Sequence, residues 1–241
     1  LTPEESQSYT LGAVYTIGDL FVTLDYYNIE VEDRISQSEK IVLSQDDKDT
    51  LEAAGVPNAQ SYAQVSFFTN DFDTTTQGID LVANYTADML GGSSTFSLAY
   101  NWNETEVTKF SDITGEFKVK RLEEDLPNHR ATLTWAQQWE SFSMFTRANY
   151  YGEYQGVHVD YDATAKTADA AVTIDAEITY FLNESISFSV GAQNIFDQDY
   201  EKLDFEDRTG IPNNNWGGQY YETSPYGING GFYYAKATYT F

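Results

Sequence analysis

The sequence predicts an all-β antiparallel transmembrane barrel, present as a C-terminal portion of about nine strands with short periplasmic turns and long extracellular loops. Three observations predict it. Apolar and polar residues alternate through segment after segment with the two-residue period of a strand. The connections alternate between tight turns and long polar stretches, as outer-membrane barrels require. The chain ends on an aromatic residue of an alternating strand, Phe241, where a soluble domain usually ends in fraying polar residues.

The elements follow in order. Tyr9, Leu11, Ala13, Tyr15 and Ile17 share one strand face, and Gly18-Asp19 turns the chain into Leu20, Val22, Leu24 and Tyr26. Residues from about 36 to 63 read as a long connection holding a short helix, acidic at Asp46, Asp47 and Asp49 and closed by Gly55. Residues from Val65 to Thr86 read as one long strand with a bulge between Asn70 and Thr74. Asp88-Met89-Leu90-Gly91-Gly92-Ser93 then turns into Phe96, Leu98, Tyr100 and Trp102. A charged loop runs through Leu126-Pro127-Asn128. Ala131, Leu133 and Trp135, then Phe142, Met144, Ala148 and Tyr150, form the next pair of apolar faces. After a polar loop over about 154 to 168, Val172, Ile174, Ile178 and Tyr180 pair with Ile186, Phe188, Val190 and Ala192. A last loop, about 197 to 225, leads to the closing strand.

Composition sets limits on function. Among 241 residues, 38 are acidic and 13 basic, a net charge of −25, which excludes a nucleic-acid surface because phosphate binding needs positive charge. Cysteine is absent, so no disulfide, thiolate metal site or cysteine nucleophile is available. Tyrosine is abundant, with 19 residues, and suits either a membrane–water interface or a sugar-binding surface. No apolar run is long enough for a transmembrane helix, which leaves strands as the means of crossing. An odd strand number would leave a sheet edge open in lipid. Leu1 is not a native start, so the expectation is a chain continued at its front by further strands. A small complete outer-membrane barrel and a soluble β-sandwich carbohydrate-binding module are the alternatives.

Several stretches resemble a known family. Tyr239-Thr240-Phe241 resembles the C-terminal assembly signal of bacterial outer-membrane barrels. Asn194-Ile195-Phe196-Asp197-Gln198-Asp199-Tyr200, followed by Ser224-Pro225-Tyr226-Gly227, resembles the end of TonB-dependent receptors. Pro3-Glu4-Glu5-Ser6 before Tyr9-Thr10-Leu11-Gly12 resembles the segment that opens the second half of that barrel, and Thr76-Gln77-Gly78-Ile79-Asp80 resembles another recurrent strand of the family. The resemblance implies an integral β-barrel of the Gram-negative outer membrane that imports a scarce nutrient: siderophore-iron, cobalamin, an oligosaccharide or similar. It also implies a plug domain and a TonB box in front of Leu1, contact with the TonB complex through that part, barrel-assembly machinery acting on the strand of Tyr239 and Phe241, and a surround of lipid and lipopolysaccharide. No catalysis, cofactor or resident metal is implied.

The residues that bear chemistry fit that picture. His129 and His158 lack any nucleophile motif and read as loop histidines. Asp175 and Glu177 lie on one strand face roughly 7 Å apart, a spacing seen in glycosidases, but the opposite face is strongly apolar. They therefore read as lumen lining, together with Asp25, Asp80, Arg147 and Lys236. Asp46, Asp47 and Asp49 lack the glycine and closing glutamate of a calcium loop and read as a helix start. Tyr154, Trp216, Tyr220 and Tyr221, in loops rich in Asn and Gly, are the candidate ligand contacts; the alternative is that Tyr154 joins an interface girdle and the others pack the loops.

Overall fold

The computed structural model describes residues 1–111, 113, 115–158, 161–199, 220 and 224–241. Trp216 and Tyr221 lie outside them, as does the side chain of His158. One antiparallel sheet of nine strands dominates. In chain order the strands are β1 (Glu5–Ile17), β2 (Leu20–Gln37), β3 (Ile41–Val42), β4 (Gln64–Val65), β5 (Phe68–Met89), β6 (Gly92–Lys109) and β7 (His129–Gln138). There follow β8 (Phe142–Tyr151), β9 (Tyr154–His158), β10 (Tyr161–Ala168), β11 (Ala171–Phe181), β12 (Ile186–Gln193) and β13 (Phe232–Tyr239). The large sheet runs β1-β2-β5-β6-β7-β8-β11-β12-β13, each strand beside its predecessor in the chain, while β3–β4 and β9–β10 form small ribbons inside loops.

Register explains why this sequence forms this sheet. Tyr15, Val22, Ala83, Leu98, Leu133, Ala148 and Ile174 are successive cross-strand partners. Ala13, Leu24, Leu81, Tyr100, Ala131, Tyr150 and Val172 form the next row. A slip of one residue in any strand would turn its apolar set to the other face, so the pattern fixes the pairing. Among the described residues no second sheet covers the apolar face, and Leu11, Leu24, Leu133, Val172, Ile178, Phe188 and Val190 stay exposed on it. A β-sandwich would bury such residues against a second layer.

Aromatic rings bound this face at both ends. Toward the short turns, Phe96 stacks on Trp135 with centroids 6.0 Å apart, Phe142 meets Tyr180 at 5.0 Å and Tyr239 meets Phe241 edge-on at 4.9 Å. Toward the long loops, Tyr26, Ile79, Trp102 and His129 form one row, and Tyr100 Oη shares a 2.8 Å hydrogen bond with His129 Nδ1. His129 therefore sits on the apolar face at the loop-end girdle.

The connections alternate as expected. At one end lie the turns at 18–19, 90–91, 139–141 and 182–185; at the other lie residues 38–67, 110–128, 152–170 and 194–231. Leu90 and Gly91 both have positive φ, 54° and 76°, the geometry of a type I′ hairpin turn. Trp139 Nε1 from the next turn donates to Leu90 O at 2.8 Å.

Three loops hold more structure than the sequence suggested. The charged connection before β7 contains a helix, α2 (Gly115–Glu124), and the polar stretch after β8 contains the β9–β10 hairpin. Both are short and mostly polar, so no apolar periodicity marks them. The expected helix is α1 (Gln45–Ala53), and β3 pairs with β4 in the same connection. The bulge foreseen near residues 70–74 is present as register shifts between Val31 and Arg34 and between Asp73 and Thr74.

Candidate functional site in the polar face and loop end

The polar face is built largely from cross-strand hydrogen bonds. Ser97 Oγ donates to Asn84 Oδ1 at 2.7 Å, and Asn101 Nδ2 to Asp80 Oδ1 at 2.7 Å. Asn103 Nδ2 donates to Tyr27 Oη at 2.7 Å. Thr132 donates to Asn149 at 3.3 Å, whose amide reaches Thr173 and Asp175 at 3.3 and 3.2 Å. Thr179 and Ser189 share a 2.8 Å bond between hydroxyls that are both buried.

Two tyrosines lie flat on this wall because glycine faces them. Tyr27 covers Gly78 and Tyr234 covers Gly191, each a directly opposed pair. A Cβ on Gly191 would stand 2.6 Å from the Tyr234 ring, so only glycine leaves room.

The lining residues foreseen in the sequence all lie on this face, but they differ in company. Glu177 accepts from Tyr234 Oη at 2.7 Å and Thr179 Oγ1 at 3.3 Å, with Lys236 Nζ 3.8 Å away. Asp175 accepts from Asn149 and from the backbone N–H of Asn194 at 2.9 Å. The two carboxylates thus have separate partners within the wall. Arg147 lies over the Phe145 ring, 4.8 Å from its centroid. Asp25 stands directly opposite Asp80, and its carboxylate occupies the space left by Gly12.

Asn194, which opens the Asn194 to Tyr200 stretch noted in the sequence, acts as a joint, a role its sequence alone did not reveal. It has φ 48° and is 8 % exposed. Its side chain closes a loop on Gln198, accepting from the Gln198 N–H and donating to the Gln198 carbonyl, both at 2.9 Å. Asp197 Oδ1 then accepts from Gly231 N at 2.6 Å, and Tyr233 Oη donates to Ile195 O at 2.9 Å. This stretch ties β11, β12 and the start of β13 together at the base of the last loop.

At the loop end, Tyr154 is 6 % exposed and packs with Ala168, Tyr220 and Tyr226. Tyr226 also meets Tyr151 at 5.2 Å. Tyr154 and Tyr220, foreseen as ligand contacts, are thus brought into one cluster above β8 and β11. Two other loops dock on each other: Lys118 Nζ donates to Ser38 O at 3.1 Å and Glu39 N to Ile113 O at 2.9 Å. Burial pushes the Lys118 ammonium below its usual range, against the pull of Glu39. Glu123 Oε1 caps Val107 N at 2.8 Å, where β6 rises past the start of β7. In α1, Ser44 and Asp47 form a reciprocal capping box, and Asp49 accepts from Gln45 and Gln60.

A family model described as TonB dependent receptor-like, beta-barrel matches residues 1–195. No curated protein matches the chain. Solved structures with the same fold include the copper transporter OprC, at TM-score 0.62 and 15% identity, covering 100% of this chain and 32% of that one. The FrpB iron transporter from Neisseria meningitidis (F3-3 variant) superposes at TM-score 0.62 and 12% identity, over 98% of this chain and 31% of that one. The ferric-catecholate import receptor Fiu from E. coli K12 does so at TM-score 0.61 and 14% identity, over 100% and 28%. The chain therefore spans about a third of the length of the structures it matches.

Proposed function

The chain belongs to the TonB-dependent receptor β-barrel family, and from that premise we propose that it forms wall and ligand-capture loops of an outer-membrane receptor importing a scarce small nutrient. The observation that carries this reading is the apolar face that continues across nine strands between two aromatic girdles, backed by a polar face. Lipid on one side and water on the other give each face its natural solvent. The girdles then lie at the two interfaces, the short turns in the periplasm and the long loops outside.

In this reading Tyr154, Trp216, Tyr220 and Tyr221 belong to the capture loops, and Asp25, Asp80, Arg147, Asp175, Glu177 and Lys236 line the lumen. A plug domain sits inside the barrel and is drawn open by the TonB complex. Lipopolysaccharide surrounds the outer half, and barrel-assembly machinery engages the strand ending in Tyr239 and Phe241. The segment performs no chemistry on its cargo.

The test is cellular. The full-length receptor is expressed in its host with and without a functional TonB system, and accumulation of labelled iron, copper, cobalamin and oligosaccharide is followed. The expected result is an outer-membrane protein that raises accumulation of one of these only when TonB is present. Recovery in the soluble fraction, or accumulation indifferent to TonB, overturns the reading.

A further inference from the structure

On the polar face Glu177 stands near Lys236 and Asp175 accepts two hydrogen bonds, and one register row is less satisfied. Asp25, Asp80, Asn101 and Arg130 are successive cross-strand partners on β2, β5, β6 and β7, and Tyr151 on β8 continues the row. Like charges directly opposite each other destabilise a strand pair, yet Asp25 faces Asp80. Asn101 supplies one hydrogen bond to Asp80. Among the described residues, neither Asp25 nor Arg130 has a hydrogen-bonding or ionic partner, and both are exposed. The Asp25 carboxylate rests in the space over Gly12 on β1, without a donor there. The row therefore holds two under-satisfied anions at one end, an amide in the middle, a free guanidinium further on and a tyrosine beyond it.

Strand spacing fixes the scale. Asp80 and Arg130 are two strands apart and Asp25 and Arg130 three, so the opposite charges stand roughly 10 to 14 Å apart at about 4.8 Å per strand. We propose that this row binds a short zwitterionic peptide, its ammonium between Asp25 and Asp80, its carboxylate on Arg130 and its backbone along Asn101. An extended chain advances about 3.4 Å per residue, so four residues span the row. A guanidinium receives a carboxylate through paired N–H groups, which suits Arg130 to a free C-terminus. The inference rests on the uptake reading and names its cargo class.

The experiment is calorimetric titration of the full-length receptor in detergent with tetra-alanine, N-acetyl-tetra-alanine and tetra-alanine amide. The expected result is binding of tetra-alanine that weakens at least tenfold in Asp25→Asn/Asp80→Asn and in Arg130→Gln. Acetylation should erase the effect of the first variant, and amidation the effect of the second. Absence of tetra-alanine binding overturns the proposal, as does binding indifferent to these variants or to blocked ends. TonB-dependent accumulation of another nutrient, measured on the same cells, would leave the uptake reading standing if the peptide fails. Loss of TonB dependence would remove both.

Discussion

Gly191 is a residue whose side chain matters by being absent. The Tyr234 ring covers it and passes on to Glu177, which also draws Thr179 and Lys236. Gly191→Ala is expected to lift the ring off the wall, break its bond to Glu177 and destabilise the barrel by about 1–3 kcal/mol. Guanidinium unfolding in lipid vesicles measures this, and the cost should largely vanish in a Tyr234→Ala background, which removes the clash. Nothing in the local sequence marks Gly191; the opposing tyrosine is known from register. Asp25, Asp80 and Arg147 were legible as polar-face residues because alternation assigns a face. Arg130 was equally open to that reasoning, alternating with Ala131 and Leu133. Its place at a loop boundary, beside Pro127, Asn128 and His129, masks the alternation.

The helix α1 shows what an element adds. Its first turn is closed by Ser44 and Asp47, and the hydrogen bonds from Ser44 hold the Asp47 carboxyl below its ordinary value. A carboxyl depressed on folding stabilises above its unfolded value, near 3.8, and loses that contribution as pH falls through the lower folded value. Hydrogen exchange of the amides in 45–53 should therefore show α1 loosening below that pH, and Asp47→Asn should remove the pH dependence. This cap was readable in the sequence as an acidic helix start. Helix α2 was not, since its stability comes from docking: Lys118 on Ser38, Glu123 on the β6 edge and the Glu39 carboxylate beside Gly115. Such long-range partners leave no local periodicity to read.

Over the whole molecule, the two faces of the sheet answer to different solvents, and this was the most legible feature of all. Period-two alternation gave the face of each strand, and the turn–loop alternation gave strand direction. The heights of the strands were not legible, because polar extensions beyond the membrane lack the apolar signal. Leu133 lies in the middle apolar row and Thr134 next to it on the polar face. Leu133→Arg is expected to cost about 2–4 kcal/mol in lipid, whereas Thr134→Arg, on the polar face, should cost less even with Arg147 directly opposite it. Reversible unfolding in vesicles compares the two, and equal costs would contradict the assignment of faces.

The strands β5 and β6, with 22 and 18 residues, stand beside β7 and β8 with 10 each. Among the described strands the wall therefore steps down from β6 to β7, so a change confined to the tops of β5 and β6 would leave the paired, membrane-height part of the wall in place.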